Sequence, residues 1–365
     1  MIEVRVDGRK VDRPTPQQVR RRRGGGLMWV DAVTCDEAEI GWLTEAFDIH
    51  PLAVEDMTQR NERPKVDDYG HHLFVVLIAA LRADEAERST IRLVETHLLV
   101  GGDYVVSVSD EALPAVRALA EETERRPELA KGEPGMLFYR ICDAALNSFF
   151  PVIDDLDEAI DRLETSIIER ADRATVHAIF GLKRDLNRLR RVLAPARDLF
   201  QGLAGPHGPR IGEGAQLYLR DVYDGAVRMV EQIDAYRDIV TGALDVYLTA
   251  VSNRLGEQTR RLSVVATIFL PLTFLTGFFG MNFGFLIDKI STEQAFLIAM
   301  STMALSLPTI WLLVRRLSRR VSPIPEVAQA RRWTMPKPYT YRRVRHRIAP
   351  GSGAGKEVGR AASQS

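Results

Sequence analysis

The chain has 365 residues, and its 49 Lys and Arg balance 49 Asp and Glu to a formal net charge of zero. That balance excludes the overall basic signature of a nucleic-acid binder. About 250 residues precede the first long apolar run, room for one sizeable soluble domain followed by a helical region.

Residues 1–26 read as a flexible N-terminal arm, punctuated by Pro14, Pro16 and the run Gly24–Gly26. Arg20 to Arg23 lead into glycines and not into an apolar core, so no signal peptide is expected. A cytoplasmic α/β domain is expected over 27–149. Its strand-like runs are Met28–Val33, His72–Leu81, Ile91–Leu99 and Tyr104–Ser109, rich in Val, Ile, Leu and Tyr. Helical patterns cover Glu37–Phe47 and Leu113–Glu124. His71 and His72, as strand neighbours, would face opposite sides and read as structural or surface residues, not as a metal pair. Cys35 and Cys142 lack metal-ligand spacing and read as thiols of a reducing compartment.

A cytoplasmic helical region and stalk helix follow over 150–260. Asp154 to Glu169 carries seven acids against Arg162, and Lys183 to Arg197 carries six bases against Asp185. Adjacent helices of opposite sign are expected to fold back as an antiparallel hairpin whose charges support each other; an acidic helix that gathers cations is the other reading. Gly205-Pro-His-Gly-Pro209 breaks the pattern. From Ala215 to Gly280 the only further breaker is Pro271, and a helix over those residues would be about 100 Å long.

Two apolar runs end the structured chain. No side chain is charged from Leu262 to Ile287 or from Gln294 to Val314. About 20 helical residues cross a hydrocarbon core of about 30 Å, so both runs qualify as spans. The expected division is a first span at 261–282, an external loop at 283–293, a second span at 294–314 and a basic cytoplasmic tail at 315–365. Arg260 and Arg261 precede the first span and Arg315, Arg316, Arg319 and Arg320 follow the second, which places both termini in the cytoplasm of a cell membrane. The Lys- and Arg-rich tail is suited to anionic lipid of the inner leaflet.

At alternating spacings of three and four, Glu231, Ala235, Asp238, Gly242, Asp245, Thr249, Ser252, Gly256, Thr259, Ser263, Ala266, Leu270, Thr273 and Gly277 share one helix face. It is small, hydroxylic or acidic almost throughout, where a coiled coil would carry large apolar residues. Small residues allow close helix contact in membranes, and Gly280 to Gly284 fits that spacing. A water-filled axis between several copies is the alternative. It also accommodates Asp238 and Asp245, whose like charges would converge in a dry contact. Two spans do not enclose a channel comfortably, so a pore requires several subunits about a rotation axis. Each lining residue then becomes a ring: Asp245 would gather cations, while Leu270, and Leu262 at the stripe's edge, would form apolar constrictions.

The stretch Ala266-Thr-Ile-Phe-Leu-Pro-Leu-Thr-Phe-Leu-Thr-Gly-Phe-Phe-Gly-Met-Asn-Phe283 resembles the first span of the CorA family of divalent-cation channels. His50-Pro-Leu52 with Glu55-Asp56, Arg63-Pro-Lys65 and Tyr218-Leu-Arg-Asp-Val-Tyr-Asp224 match in family order, so the resemblance covers about 50–315. It implies a homopentameric Mg²⁺ channel, also passing Co²⁺ or Ni²⁺, with a funnel-shaped cytoplasmic α/β domain, a long stalk helix and two C-terminal spans. It implies that the first span lines the pore and that Gly280, Met281 and Asn282 form the selectivity filter. It further assigns Thr273, Leu270, Leu262 and Asp245 to the lumen, beside Gly277, Ala266, Ser263, Thr259 and Gly256 of the stripe. A regulatory Mg²⁺ site between subunits is implied at Asp221 and Asp84, through which cytosolic Mg²⁺ would close the channel.

Three positions and the outer link depart from the family pattern. Phe279 replaces a tyrosine before the tripeptide, Gly256 a polar amide and Gly225 a histidine, and the outer link lacks the acidic Met-Pro-Glu-Leu loop. A Zn²⁺ transporter of the same superfamily is therefore the alternative, with a non-conducting membrane-tethered sensor or scaffold as a third reading. No Walker loop, HExxH or paired cysteine motif occurs, so neither an enzyme nor an organic cofactor is expected.

Overall fold

In the computed structural model, residues 1–59, 63–82, 91–127, 132–169, 172–205, 211–281, 284 and 292–320 are described. Asn282, Asp84, residues 206–210 of the helix break, most of the external loop and the tail from 321 lie outside the described residues. The chain divides into two units, Met1–Ala266 and Thr267–Ser365.

The first unit is built on a seven-stranded sheet in the order β2-β1-β3-β7-β6-β5-β4, with β3 and β7 parallel and the other pairs antiparallel. Its strands are β1 (Ile2–Val6), β2 (Arg9–Val11), β3 (Met28–Val33), β4 (Lys65–Asp68), β5 (Leu73–Arg82), β6 (Ile91–Val100) and β7 (Tyr104–Ser109). Helices α1 (Pro16–Arg22), α2 (Glu37–Phe47) and α3 (Pro51–Gln59) precede β4. Met28, Val30, Phe74, Val76 and Val106 pack with Leu43, Phe47 and Met57 in a cluster that takes in these three helices. Trp29, Leu73, Val75, Leu77, Leu98 and Val105 join a second, larger cluster. Neighbouring residues of β5 thus fall in different cores, so the strand is apolar without alternation.

The first residues are not a loose arm. Ile2–Val6 and Arg9–Val11 form a hairpin that pairs antiparallel with β3. Asp7 and Gly8, with φ of 48° and 76°, make its two-residue turn, the conformation that Asp-Gly favours between strands. Val4 and Val19 are buried at 2% and 1% exposure, and that burial ties the segment down. His71 and His72 precede β5, and their rings meet edge to face at 4.2 Å.

The larger core gathers α4 (Pro114–Arg125), α5 (Pro134–Asn147), α6 (Phe150–Glu169), α7 (Arg173–Ala204) and the first half of α8 (Glu213–Phe279). α6 and α7 pack together. Leu156, Ile160, Leu163 and Ile167 of α6 and Ile179, Leu182, Leu186 and Leu189 of α7 are buried in that core. The charges reach to other elements: Arg82 of β5 binds Asp155 at 2.8 Å, and Arg190 binds Asp234 of α8 at 2.6 Å. Neither cysteine forms a disulfide.

The second unit holds the end of α8 and α9 (Glu293–Arg320). Among the described residues, two stretches are long and apolar enough to cross a membrane, Pro134–Ile167 and Gly214–Phe278. Half of the apolar window in the first is buried in the soluble core, whereas none of it is buried in the second. α9 contributes a shorter apolar stretch, Phe296–Ser306.

Candidate functional site

α8 docks on its own chain through Ala215, Leu219, Val222, Ala226, Met229, Ile233, Tyr236, Val240 and Ala243, all buried and spaced alternately by four and three. Leu146 of α5 occupies the place of a missing side chain at Gly225, where an added Cβ would stand 3.2 Å from its Cδ2. Glu231, Ala235, Asp238, Gly242 and Asp245 each lie two residues beyond a member of that seam. At 100° per residue this is a rotation of about 200°, so the stripe points away from the docked side.

In the first unit, every stripe residue from Glu231 to Ala266 is exposed, including Asp245, Gly256, Thr259 and Ser263. A Cβ added at Gly242 or Gly256 would meet nothing within 4 Å, so no contact inside the chain requires a glycine there. Leu248, Leu255 and Leu262, at 56%, 58% and 71% exposure, flank the stripe with apolar surface that the chain does not cover.

In the second unit, Leu270, Thr273 and Gly277 are exposed, and Gly277 likewise has open space around it. α8 ends at Phe279, and the backbone closes with Gly280 N donating to Thr276 O at 3.0 Å and Met281 N to Phe278 O at 3.3 Å. Gly280 and Met281 therefore stand at the end of the helix.

The threonine hydroxyls of the stripe are committed. Oγ1 of Thr249, Thr259 and Thr273 donates to the carbonyls of Asp245, Leu255 and Phe269 at 2.9, 3.0 and 2.9 Å. A hydroxyl has one proton, so once that is given to the preceding turn the oxygen offers only lone pairs. Thr276 does the same, donating to Leu272 and Thr273. The exposed oxygens are acceptors, suited to the hydrogens of water held around a cation.

Asp221 is exposed on α8. Asp143 and Tyr139 of α5, which the sequence does not single out, lie close enough to feel its charge. Burial raises the Asp143 carboxyl above its usual range, and the Asp221 charge adds to this against an opposing hydrogen bond from Asn147. Tyr139 is pushed up to about 12 by burial, with Asp143 and Asp221 contributing, and its ring lies 5.1 Å from that of Tyr218. Asp143 follows the apolar run Ile141-Cys142 on a core helix, and only an acid on such a helix hints at its place. Among the described residues no group of three His, Cys, Asp or Glu side chains converges to hold a metal.

The family model described as CorA-like Mg²⁺ transporter protein matches residues 24–316. A cobalt/magnesium transport protein CorA of Thermotoga maritima is 34% identical over 247 residues, covering 66% of this chain and 69% of that protein. The complete structure of the CorA magnesium transporter of Methanocaldococcus jannaschii superposes with a TM-score of 0.74 at 20% identity, over 87% of this chain and 98% of that one. Full-length CmaX superposes at 0.67 and 21% identity, over 87% and 97%. With the family matched over most of its length, this chain belongs to the CorA-like Mg²⁺ transporter family.

Proposed function

We propose that the chain forms a homopentamer in the cell membrane, with both termini cytoplasmic and α8 of each copy lining a central pore for Mg²⁺, with Co²⁺ and Ni²⁺ as surrogates. The observation that carries this reading is the stripe of α8, exposed opposite its docking seam and rich in carboxylates, bare backbone and threonine oxygens whose protons are given to the preceding turn. Mg²⁺ dehydrates reluctantly and keeps several waters, so acceptors that hold those waters suit it better than ligands that strip them. Asp245 would concentrate cations at the cytoplasmic end, and Leu262 and Leu270 would constrict the lumen. Thr273 and Gly277 lead toward Gly280, Met281 and Asn282, whose amide and carbonyl oxygens would form the outer filter. The membrane potential drives entry, since two charges crossing 100 mV gain about 4.6 kcal/mol.

The regulatory reading places a second Mg²⁺ at Asp221 with Asp84 of a neighbouring copy. The surface at Asp221 suits a hard dication, because Asp143 beside it adds a second carboxyl. Binding that favours the closed arrangement would let cytosolic Mg²⁺ limit its own uptake. The basic tail at 315–365 would rest on anionic lipid.

Ion uptake into vesicles containing the purified protein tests the reading. Mg²⁺ uptake is expected, and Asn282→Ala is expected to abolish it. Zn²⁺ uptake without Mg²⁺ uptake would assign the chain to the Zn²⁺ alternative suggested by its non-acidic outer link. No uptake of either ion would leave a membrane-tethered sensor.

A further inference from the structure

One turn of α8 is gripped from two sides by polar side chains. Tyr236, its ring buried at 1% exposure, donates from its hydroxyl to Asp157 Oδ1 of α6 at 2.7 Å and accepts from Gln232 Nε2 at 2.8 Å. From α7, Arg190 Nε donates to Asp234 Oδ1 at 2.6 Å, and Arg237 donates from Nε to Asn187 Oδ1 at 3.0 Å. Arg237 Nη1 also reaches Asp234 Oδ1 at 2.9 Å, closing a collar of two helices around residues 232–237. Ala243, two turns later, is the last buried residue of the helix among those described, and Asp238 and Asp245 of the stripe lie on the opposite face at this level.

The apolar seam above the collar holds α8 against the chain, but apolar contact has no direction. Hydrogen bonds of 2.6–3.0 Å from flanking helices do, and they fix the axial rotation of α8. Side-chain tips lie about 5–6 Å from a helix axis, so a turn of about 20° moves the stripe by about 2 Å. That is comparable to the radius of a water molecule and large for a lumen sized to a hydrated ion.

We infer that Tyr236 is a positioning residue: its bond to Asp157, with the Asp234 collar, sets the rotation of the pore-lining helix and so the balance between its conducting and closed arrangements. This inference rests on the conduction reading above. The Arg190–Asp234 pair is half exposed and contributes little by itself, whereas the Tyr236 hydroxyl sits at the edge of the core, where loss of its partner is felt.

The test uses the full chain in vesicles and follows the internal Mg²⁺ that halves the flux. Tyr236→Phe and Asp157→Ala are each expected to move that midpoint about three- to tenfold, in the same direction, as one net hydrogen bond would. The double variant is expected to move it no further, and Asp157→Asn, which keeps an acceptor, to stay within about twofold of wild type. Unmoved midpoints, additive shifts, or an Asn variant as displaced as the Ala variant would each overturn the inference. Lowered thermal stability with an unmoved midpoint would show a merely structural role. If wild-type vesicles pass no divalent cation, the conduction reading falls separately, and if they conduct without inhibition from inside, the regulatory reading does. Amide exchange over 238–256 then decides, since exchange in Tyr236→Phe no faster than wild type overturns the positioning role.

Discussion

His72 is buried at 3% exposure, and neither ring nitrogen has a hydrogen-bond partner. Burial, followed by the His71, His50 and Arg23 charges, pushes its pKa down to about 4. An unfolded chain binds that proton near 6.5, so between these values the unfolded state holds more protons and stability rises with pH. Acidification from neutral toward pH 4.5 is therefore expected to cost of order 1–3 kcal/mol through this residue. Asp31 and Asp143, raised chiefly by burial, act in the opposite direction, so the readout is the difference between wild type and His72→Phe. If thermal unfolding of the two falls in parallel from pH 6.5 to 4.5, His72 is not the cause. Thr273 carries a second prediction at this scale. Thr273→Val keeps the shape of the side chain and removes the lone pairs, and is expected to cut Mg²⁺ flux about fivefold or more. Thr273→Ser keeps them and is expected to conduct nearly as wild type. Equal flux in the valine variant would show that the hydroxyl oxygens do not face the ion.

The hairpin of β1 and β2 shows how an element can be present in the sequence and yet be missed. Pro14, Pro16 and three glycines drew the segment toward disorder, while Val6-Asp7-Gly8-Arg9, a turn between alternating apolar residues, signalled a hairpin. Val4→Ala is accordingly expected to cost about 1–3 kcal/mol of stability, measured by denaturant unfolding, where a loose arm would cost nothing. Met28–Val33, Tyr104–Ser109 and Glu37–Phe47 are legible to the residue, because the strands are rich in Val and aromatic residues and α2 carries helical periodicity. β4, with Lys65, Asp67 and Asp68 among its four residues, is an edge strand that sequence pattern does not reveal. The stripe on α8 was legible because helical periodicity alone fixes a face. That it lies opposite the docking seam required the burial of Ile233, Tyr236 and Val240 to be seen. Asp245 on that face is expected to act through its charge. Asp245→Asn should lower flux severalfold at low ionic strength and less at about 1 M salt, where the screening length falls to about 3 Å. A loss independent of salt would assign Asp245 a structural role.

As a whole molecule, the isolated chain leaves a great deal of apolar surface exposed. Leu248, Leu255 and Leu262 in the first unit, and Leu270, Phe274 and Phe278 in the second, are 46–75% exposed. Leu262 and Leu270 would face the lumen under the reading above and lipid can cover Phe274 and Phe278, but Leu248 and Leu255, ahead of the span, require another protein surface, and copies of one chain related by rotation would supply it. A regulatory site shared between copies then has a consequence that a site within one chain would not. A ligand that bridges subunits binds only the arrangement that brings its halves together, and it shifts the population by its differential affinity alone. Asp221 is exposed on α8, where a second copy can reach it. Asp221→Ala should leave assembly intact, as measured by mass in detergent, and preserve flux at low internal Mg²⁺. It should raise the internal Mg²⁺ needed for half-inhibition about tenfold, the cost of a charge-assisted contact. Chains carrying Asp221→Ala mixed with chains carrying Asp84→Ala should recover part of the inhibition, because a shared site is whole wherever the intact Asp221 of one copy meets the intact Asp84 of the next. Wild-type inhibition in the all-Asp221→Ala protein would remove Asp221 from regulation, and mixtures no more inhibited than either variant alone would place its Mg²⁺ within single chains.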